Sequence, residues 1–416
     1  MINKKKILIV TPYGFNDRLA NFMEFISARL LEKNDWQVTA LTRQQEKTIE
    51  LDSYKGIIIK RYKSLGQGIF LLLQILFLSR PDVIHVYHLR NNRLGALSGI
   101  LSKFLAISLI FTEYGLLHDH YLVDDRDDPL GKPLKPNGII IDLKQLFNEI
   151  FSKHGAPPIS SFKNYFYHWS LTHADQVIFV SKHNFDLVTE LGLKNCRYLP
   201  YFFDDDRWQI NRELNPEDDR QLMNLKKIEN LNSPLVLFVG QLKLRKGWDI
   251  YLEAIRFVDK NIVPSFVLVT PTCKELPPNL VDLIKKLGIE ERVIFFGQIS
   301  EQLLKKIYDL SSIVAIPSRY EGFGLVAVEA FAANKPLVAS AVPALTETIT
   351  DDYDGLLVSP KNPEKLAQAI IKLAGDKKLR EKLVSGGQTT LKKLKSDKIK
   401  KQWLEFYDKI IKNKCT

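Results

Sequence analysis

The sequence predicts an α/β protein with two doubly wound domains. Short apolar strands alternate with amphipathic helical stretches along the whole chain, and this alternation restarts once near residue 234. The strands are continuous apolar runs, as at 7–10, 82–85 and 176–180, which is typical of parallel sheets covered on both faces. A length of 416 residues also favours more than one core.

The first predicted domain spans residues 1–205. Its predicted strands lie at 7–10, 37–41, 56–60, 82–85, 108–112 and 176–180. Predicted helices include 19–31 and 94–105. The segment 116–161 interrupts this alternation with five prolines and the acidic run 124–128. A long irregular insert of this kind is typical of a functional or a disordered loop.

A polar segment, 206–233, is expected to link the domains and to carry one helix. The second predicted domain spans 234–395 and ends before a last helix within 396–416. Its predicted elements are strands at 235–239, 265–269, 293–296 and 313–316 and a helix at 248–258. Ser396 is the expected N-cap of the last helix.

Composition and charge restrict the compartment and the partners. The net charge of +11 suits nucleic acid, anionic lipid or phosphorylated ligands, although lysines scattered along helices explain it equally well. The distant Cys196, Cys273 and Cys415 form neither a disulfide framework nor a metal motif, which indicates a reducing, cytoplasmic environment. The apolar run 7–10 is too short for the core of a signal peptide.

An apolar stretch at 65–78 is flanked by basic residues, namely Lys60, Arg61, Lys63 and Arg80. Its most apolar part is about half as long as a membrane span. The pattern predicts either peripheral attachment to the anionic inner face of a membrane or a helix buried in the first domain.

The most informative segment is 317–336, PSRYEGFGLVAVEAFAANKP. A strand ends before it, and a helix is expected to begin near Gly324, where backbone N–H groups and a glycine suit a phosphate. Glu329 is the only charge on this apolar helix, and a buried carboxylate requires a donor. A ribose diol or a buried base such as Arg319 would supply that donor.

A second loop, 240–247, also lies between a strand and a helix. Ligands of doubly wound sheets bind at the carboxyl ends of the strands, where both loops are expected. Arg245 and Lys246 would neutralise a diphosphate there and stabilise the charge on a leaving nucleoside diphosphate. Taken alone, such a turn is more often a solvated basic loop.

These segments resemble the retaining GT-B glycosyltransferases of family 4, also called glycosyl transferases group 1. The family signature Glu-Gly-Phe-Gly-Leu-x-x-x-Glu-Ala is matched without a gap from Glu321 to Glu329. Residues 335–340 and 353–358 fit the family as well. The resemblance covers nearly the whole chain and is strongest at 235–375.

The resemblance implies two Rossmann-like domains facing across a cleft, with the last helix crossing back to the first domain. It implies retaining, metal-independent transfer from a UDP- or GDP-sugar to a glycan, lipid-linked or other hydroxyl acceptor, in cell-surface glycan or glycolipid synthesis. No cofactor is implied. Glu321 would hold the donor sugar, Glu329 the ribose, the backbone of Gly324 and Leu325 the diphosphate, and Lys246 the leaving phosphate.

Further positions of the donor site follow from the same resemblance. Gly322 and Phe323 belong to the glutamate loop. Gln241 stands where the family usually has arginine, and the adjacent Arg245 is the expected compensation. Near the N-terminus the family often has a paired-glycine loop, of which this chain has only Gly14.

The acceptor side of the site is assigned to the first domain. The family commonly places a histidine close to the reacting centre, and Tyr114 stands at that position here. His118 is the predicted replacement, with a catalytic role, and His120 is the next candidate. His85 and His88 could form a metal pair, but no further ligands stand nearby, so they are expected either to line the acceptor cleft, as the resemblance implies, or to be purely structural.

Other functions are less consistent with the sequence. Asp125 and Asp127 match the Asp-x-Asp of metal-dependent glycosyltransferases, but the two-domain organisation argues against that class, so no metal is predicted. A GT-B-like sugar-nucleotide epimerase is the alternative enzyme. A non-enzymatic protein that binds anionic polymers or membranes is the remote alternative. Binding to nucleic acid is disfavoured, because two glutamates would make no favourable contact with a phosphate backbone.

Overall fold

A computed structural model describes residues 4–12, 23–44, 53–54, 56–88, 92–113, 173–190, 192–203, 213–228, 234–270 and 273–412. These residues form two compact units. The first holds the described residues up to 113, those at 173–203 and the last helix; the second holds those between 213 and 394.

The first unit is built on an eight-stranded sheet. Its strands are β1 (Lys6–Thr11), β2 (Gln37–Arg43), β3 (Ser53–Tyr54), β4 (Ile57–Tyr62), β5 (Val83–Tyr87), β6 (Ser108–Glu113), β7 (Gln176–Phe179) and β8 (Cys196–Tyr198). Their order is β3-β4-β2-β1-β5-β6-β7-β8, and every pair except β3–β4 is parallel. Because β1 pairs with both β2 and β5, the topological switch point lies between β1 and β5.

Among the described residues of the first unit, four helices lie between these strands. They are α1 (Met23–Glu32), α2 (Leu65–Gln74), α3 (Arg93–Phe104) and α4 (Lys182–Glu190). A π-helical turn (Ile75–Ser79) continues α2. Asn92 caps α3 by accepting the N–H of Gly95, and its amide donates to the carbonyls of Val10 and Tyr87. This side chain therefore ties the start of α3 to both strands at the switch point.

The second unit begins with a polar helix and continues as an α/β domain. Its helices are α5 (Pro216–Ile228), α6 (Trp248–Ile255), α7 (Pro278–Leu287), α8 (Glu301–Leu310), α9 (Leu325–Ala332), α10 (Pro343–Thr348), α11 (Pro363–Gly375) and α12 (Lys377–Leu394). In α5, Leu222 and Leu225 are buried, and the helix packs against α8. The helix within the segment that was expected to be a linker thus contributes to the second unit.

The sheet of the second unit has six parallel strands. They are β9 (Leu235–Val239), β10 (Ser265–Val269), β11 (Val293–Phe296), β12 (Ile313–Ile316), β13 (Leu337–Ser340) and β14 (Leu356–Val358), in the order β11-β10-β9-β12-β13-β14. The order reverses between β9 and β12, so the loops that follow these strands meet at the switch point. The sequence analysis missed β13 and β14.

The last helix, α13 (Asp397–Lys412), belongs to the first unit. Trp403 and Tyr407 are fully buried there, and the indole N–H of Trp403 donates to the carbonyl of Pro200 at 2.9 Å. Ser396 accepts the N–H of Lys398, as expected of an N-cap. The predicted return of this helix to the first domain is confirmed. Among the described residues, no helix is long and apolar enough to cross a membrane.

Candidate active site

The switch point of the second unit carries a helix N-terminus. The chain leaves β12, turns through residues 317–324 and enters α9 directly after Gly324. Gly324 has a φ of 91°, and a Cβ at this position would lie 2.6 Å from Leu345. The first backbone N–H groups of α9 consequently stand at the carboxyl end of a central strand, an arrangement that suits a phosphate.

Glu321 and Lys246 form an ion pair between the two loops. The Lys246 Nζ lies 2.7 Å and 2.8 Å from the two carboxylate oxygens of Glu321, and Ser318 donates to one of them at 2.7 Å. Burial raises the pKa of Glu321, but the charges of Lys246 and Arg245 and these hydrogen bonds outweigh it, so the pKa is lowered overall. Glu321 is therefore an ionised acceptor held in one position.

A second ion pair fastens the same two loops. Arg319 donates to both carboxylate oxygens of Asp249 on α6 and to the carbonyl of Leu244. Gly247 has a φ of 70°, and a Cβ on it would lie 1.9 Å from the carbonyl oxygen of Pro317. These contacts fix Lys246 relative to Glu321. The sequence analysis missed Asp249, for which its place in the first turn of a helix was the only signal.

Glu329 accepts a hydrogen bond from a tyrosine. The hydroxyl of Tyr308, on α8, donates to one Glu329 oxygen at 2.9 Å, and Tyr308 is fully buried. Burial, followed by the charge of Glu329, raises the pKa of Tyr308 well above its usual value. Arg319 pairs with Asp249 instead, so the structure does not support it as the partner of Glu329. Glu329 is half-buried, not fully buried as expected.

The remaining predicted donor residues lie in the same two loops. Gly322 and Phe323 are half-buried, and the Phe323 carbonyl accepts the hydroxyl of Thr348 at 3.2 Å. Gln241 follows β9 and accepts the N–H of Lys243 through its carbonyl. Arg245 lies in a 3₁₀ turn with Lys246. Gly14 lies outside the described residues.

His85 lies in the core of the first unit. It is completely buried, one ring nitrogen hydrogen-bonds Tyr407 at 2.8 Å, and the other hydrogen-bonds Thr112 at 2.7 Å. Burial lowers its pKa well below the usual value. These contacts favour the structural role over a place on an acceptor cleft. Tyr114 and His118 lie outside the described residues.

A polar cluster that includes His88 lies at the switch point of the first unit, and its partner Glu24 was not predicted from the sequence. Glu24 is buried, and one of its oxygens lies 3.2 Å from the Nε2 of His88 and 3.4 Å from the hydroxyl of Thr11. His88 follows β5 with a φ of 54°, a left-handed conformation that is uncommon for histidine.

The described residues of the two units offer no candidate metal centre. Within the described ranges, no three His, Cys, Asp or Glu side chains converge on one point. Asp125, Asp127 and the rest of the insert 116–161 lie outside those ranges.

Two family models match the chain. The model of the glycosyl transferases group 1 matches residues 219–390, and that of glycosyltransferase family 4 matches residues 27–207. Two uncharacterized glycosyltransferases of Methanocaldococcus jannaschii are similar in sequence. One is 29% identical over 72% of this chain and 80% of its own length, and the other is 30% identical over 50% and 51%. The chain thus spans about half the length of one of these relatives.

Solved structures share the fold over almost the whole chain. Sucrose-phosphate synthase from Thermosynechococcus elongatus matches with a TM-score of 0.70 at 19% identity, covering 99% of this chain and 100% of that one. HepE of Anabaena in complex with UDP-glucose matches with a TM-score of 0.66 at 19% identity, covering 97% and 99%. The two family models together span residues 27–390, so the chain belongs to the glycosyltransferases of family 4, and the solved structures show that its fold is GT-B.

Proposed function

We propose that this chain transfers a sugar from a nucleotide-diphosphate sugar to a hydroxyl acceptor, with retention of anomeric configuration and without a metal ion. The observation that carries the proposal is the Lys246–Glu321 pair beside the N-terminus of α9. A cation, a carboxylate acceptor and a helix N-terminus at one switch point match the three parts of such a donor: leaving phosphate, sugar hydroxyls and diphosphate.

The positive charge in this site comes from the protein. When the bond from the anomeric carbon to the phosphate oxygen breaks, negative charge develops on the leaving diphosphate. Lys246, Arg245 and the N–H groups of α9 lie on the two loops where that charge would fall. Fixed positive groups stabilise such a transition state, and this supports chemistry that needs no divalent cation.

Retention would follow from attack on the face that the phosphate leaves. The acceptor oxygen forms its bond to the anomeric carbon on that face, and the acceptor proton passes to the departing phosphate oxygen. Atoms and charge then balance without a protein base. Glu321 is held ionised by Lys246 and Arg245, so its proposed role is to accept sugar hydroxyls and not to donate a proton.

Glu329 is proposed to bind the ribose. The Tyr308 hydroxyl occupies one lone pair of one carboxylate oxygen. An ionised carboxylate accepts hydrogen bonds through both of its oxygens, and the two hydroxyls of a ribose diol are donors that match it. The donor is proposed to be a UDP- or GDP-sugar, and the UDP-glucose in the structure of HepE supports the uridine form.

The acceptor is proposed to be a glycan or a lipid-linked hydroxyl in cell-surface glycan or glycolipid synthesis, made on the cytoplasmic side. The first unit is the proposed acceptor-binding part. Glu24 and His88 support this assignment, because they lie where ligands of doubly wound sheets bind.

A donor screen tests the proposal. Thermal stabilisation and hydrolysis are measured with uridine, guanosine and adenosine diphosphate sugars, and Lys246→Ala is expected to lower the hydrolysis rate about 10²–10³-fold. Lys286→Ala, which removes an exposed lysine of α7, is the matched control and should retain the wild-type rate. Full activity in both Lys246→Ala and Glu321→Gln would show that the site is wrongly assigned.

Two further measurements address the finer parts of the proposal. Proton NMR of the transfer product reports the anomeric configuration, and an inverted product contradicts the front-face mechanism. Assays with a chelator should show the same rate as assays with added Mg²⁺. A rate that disappears with the chelator and returns with Mg²⁺ contradicts metal independence.

A further inference from the structure

The helix layer on one face of the first unit exposes large apolar side chains. Phe70 of α2 is 67% exposed, Phe77 and Leu78 of the π-helical turn are 58% and 75% exposed, and Phe104 at the end of α3 is 82% exposed. We call these four residues the apolar patch. Isolated exposed apolar residues are ordinary, but neighbouring ones mark interaction surfaces.

The residues of the apolar patch belong to helices that lie side by side. A Cβ on Gly68 of α2 would lie 2.6 Å from Leu94 of α3, so the helices touch near their starts. Counted from that contact, the π-helical turn lies about ten residues further along α2, and Phe104 lies about ten residues further along α3. In each helix this is a distance of roughly 15 Å. Phe77, Leu78 and Phe104 are consequently at the same end of the layer.

The segment that forms this layer is almost free of acidic residues. Between residues 53 and 112 the chain has eight lysines and arginines but one acidic residue, Asp82. The Asp82 carboxylate accepts the backbone N–H of Lys6 at 2.7 Å. The exposed basic residues of the layer and of the strand before it are Lys60, Lys63, Arg80, Arg93 and Lys103. Of these, Lys103 has a partner, Asp175, at 3.7 Å.

We propose that the apolar patch docks this chain on an anionic lipid bilayer. Phe77, Leu78 and Phe104 enter the boundary between headgroups and acyl chains, while Arg80 and the other exposed basic residues contact lipid phosphates. The combination of an apolar face with flanking lysines and arginines is what a helix lying in the membrane plane requires. The inference does not depend on the proposed donor chemistry, since that site lies in the second unit.

The charge of the layer favours a bilayer over a second copy of this chain. In a two-fold dimer the same surface meets itself, so the basic residues around the patch would face one another with almost no acidic partner. Like charges across an interface oppose association. An anionic membrane instead supplies the complementary charge.

Sedimentation with lipid vesicles tests the inference. The full-length chain is expected to bind vesicles of phosphatidylglycerol mixed with phosphatidylcholine, to bind pure phosphatidylcholine much less, and to dissociate as salt is raised. The triple variant Phe77→Gln, Leu78→Gln, Phe104→Gln should weaken binding by about a thousandfold, since each of the three inserted side chains contributes roughly tenfold.

Two further variants test the contribution of the basic residues and control for the loss of an exposed phenylalanine elsewhere. Lys63→Gln with Arg80→Gln should weaken binding about thirtyfold, from about 1 kcal/mol per basic residue. Phe257→Gln removes a phenylalanine that is 47% exposed in the second unit and should bind as the wild type does. Circular dichroism and nucleotide binding serve as folding controls for every variant, and keep failure of this inference distinct from failure of the donor site.

Three outcomes would overturn the inference. The first is no binding to phosphatidylglycerol vesicles at low salt, and the second is equal binding to neutral and anionic vesicles. The third is a folded triple variant that binds as well as the wild type. A concentration-dependent dimer that the triple variant abolishes, with no lipid binding, would assign the patch to self-association.

Discussion

Two helices of this protein are equally apolar but differ in their surroundings. In α9 the side chains of Ala327, Val328 and Phe331 are buried, and α12 packs against the helix so closely that a Cβ on Gly387 would lie 2.6 Å from Phe331. In α2 only Gly68 and Leu72 are buried. Apolar composition alone therefore does not determine whether a helix is buried. Burial also requires a neighbouring helix that can approach closely, as α12 does at Gly387.

The largest expected difference between the two helices is in stability. Phe331→Ala removes a buried ring between α9 and α12 and should lower the free energy of unfolding by about 3–5 kcal/mol. Phe70→Ala removes an exposed ring from α2 and should change it by less than about 0.5 kcal/mol. Urea unfolding of both variants measures the difference. A comparable loss in Phe70→Ala would mean that α2 is covered.

The comparison also shows what the sequence could predict. Continuous apolar runs located most of the strands, and the motif from Glu321 to Glu329 located the loop and the helix after β12, because these signals are local. Whether α2 is covered depends on its neighbours, and the pattern of a helix that is mostly apolar on all sides does not indicate what those neighbours are.

Side-chain partners in the site escaped the sequence for a similar reason. Arg319 pairs with Asp249, 70 residues away, and Glu329 with Tyr308, 21 residues away. Such pairs are set by which loops and helices meet at the switch point. The burial of His85 could not be predicted for the same reason, since its partner Tyr407 comes from the far end of the chain.

An intermediate effect is expected from the charge in the loop before α9. The pKa of Glu321 is lowered in the folded chain, so its ionisation stabilises the fold above the unfolded pKa of 4.5 and this stabilisation is lost as pH falls through the lower folded value. Glu321→Gln should cost about 2 kcal/mol at neutral pH. The difference from the wild type should shrink below about pH 4.5.

Urea unfolding of wild type and Glu321→Gln at a series of pH values measures this dependence. Phe70→Gln on α2 is the matched control, because it removes no titratable group and should show no pH-dependent difference. A gap between wild type and Glu321→Gln that is the same at pH 3 and pH 7 would contradict a lowered pKa for this carboxyl.

The smallest expected effect concerns the one charge that distinguishes α9 from α2. Tyr308→Phe removes the hydroxyl that donates to Glu329, at a cost of about 1 kcal/mol in stability. Tyr251→Phe removes a buried hydroxyl that lies 2.9 Å and 3.0 Å from the carbonyl oxygens of Val236 and Val267, and should cost a similar amount. If Glu329 binds the ribose, only Tyr308→Phe should also weaken nucleotide binding, by about three- to tenfold, because the carboxylate loses its fixed orientation. Calorimetric titration of both variants with the nucleotide diphosphate measures this, and equal affinities would separate Tyr308 from the donor site.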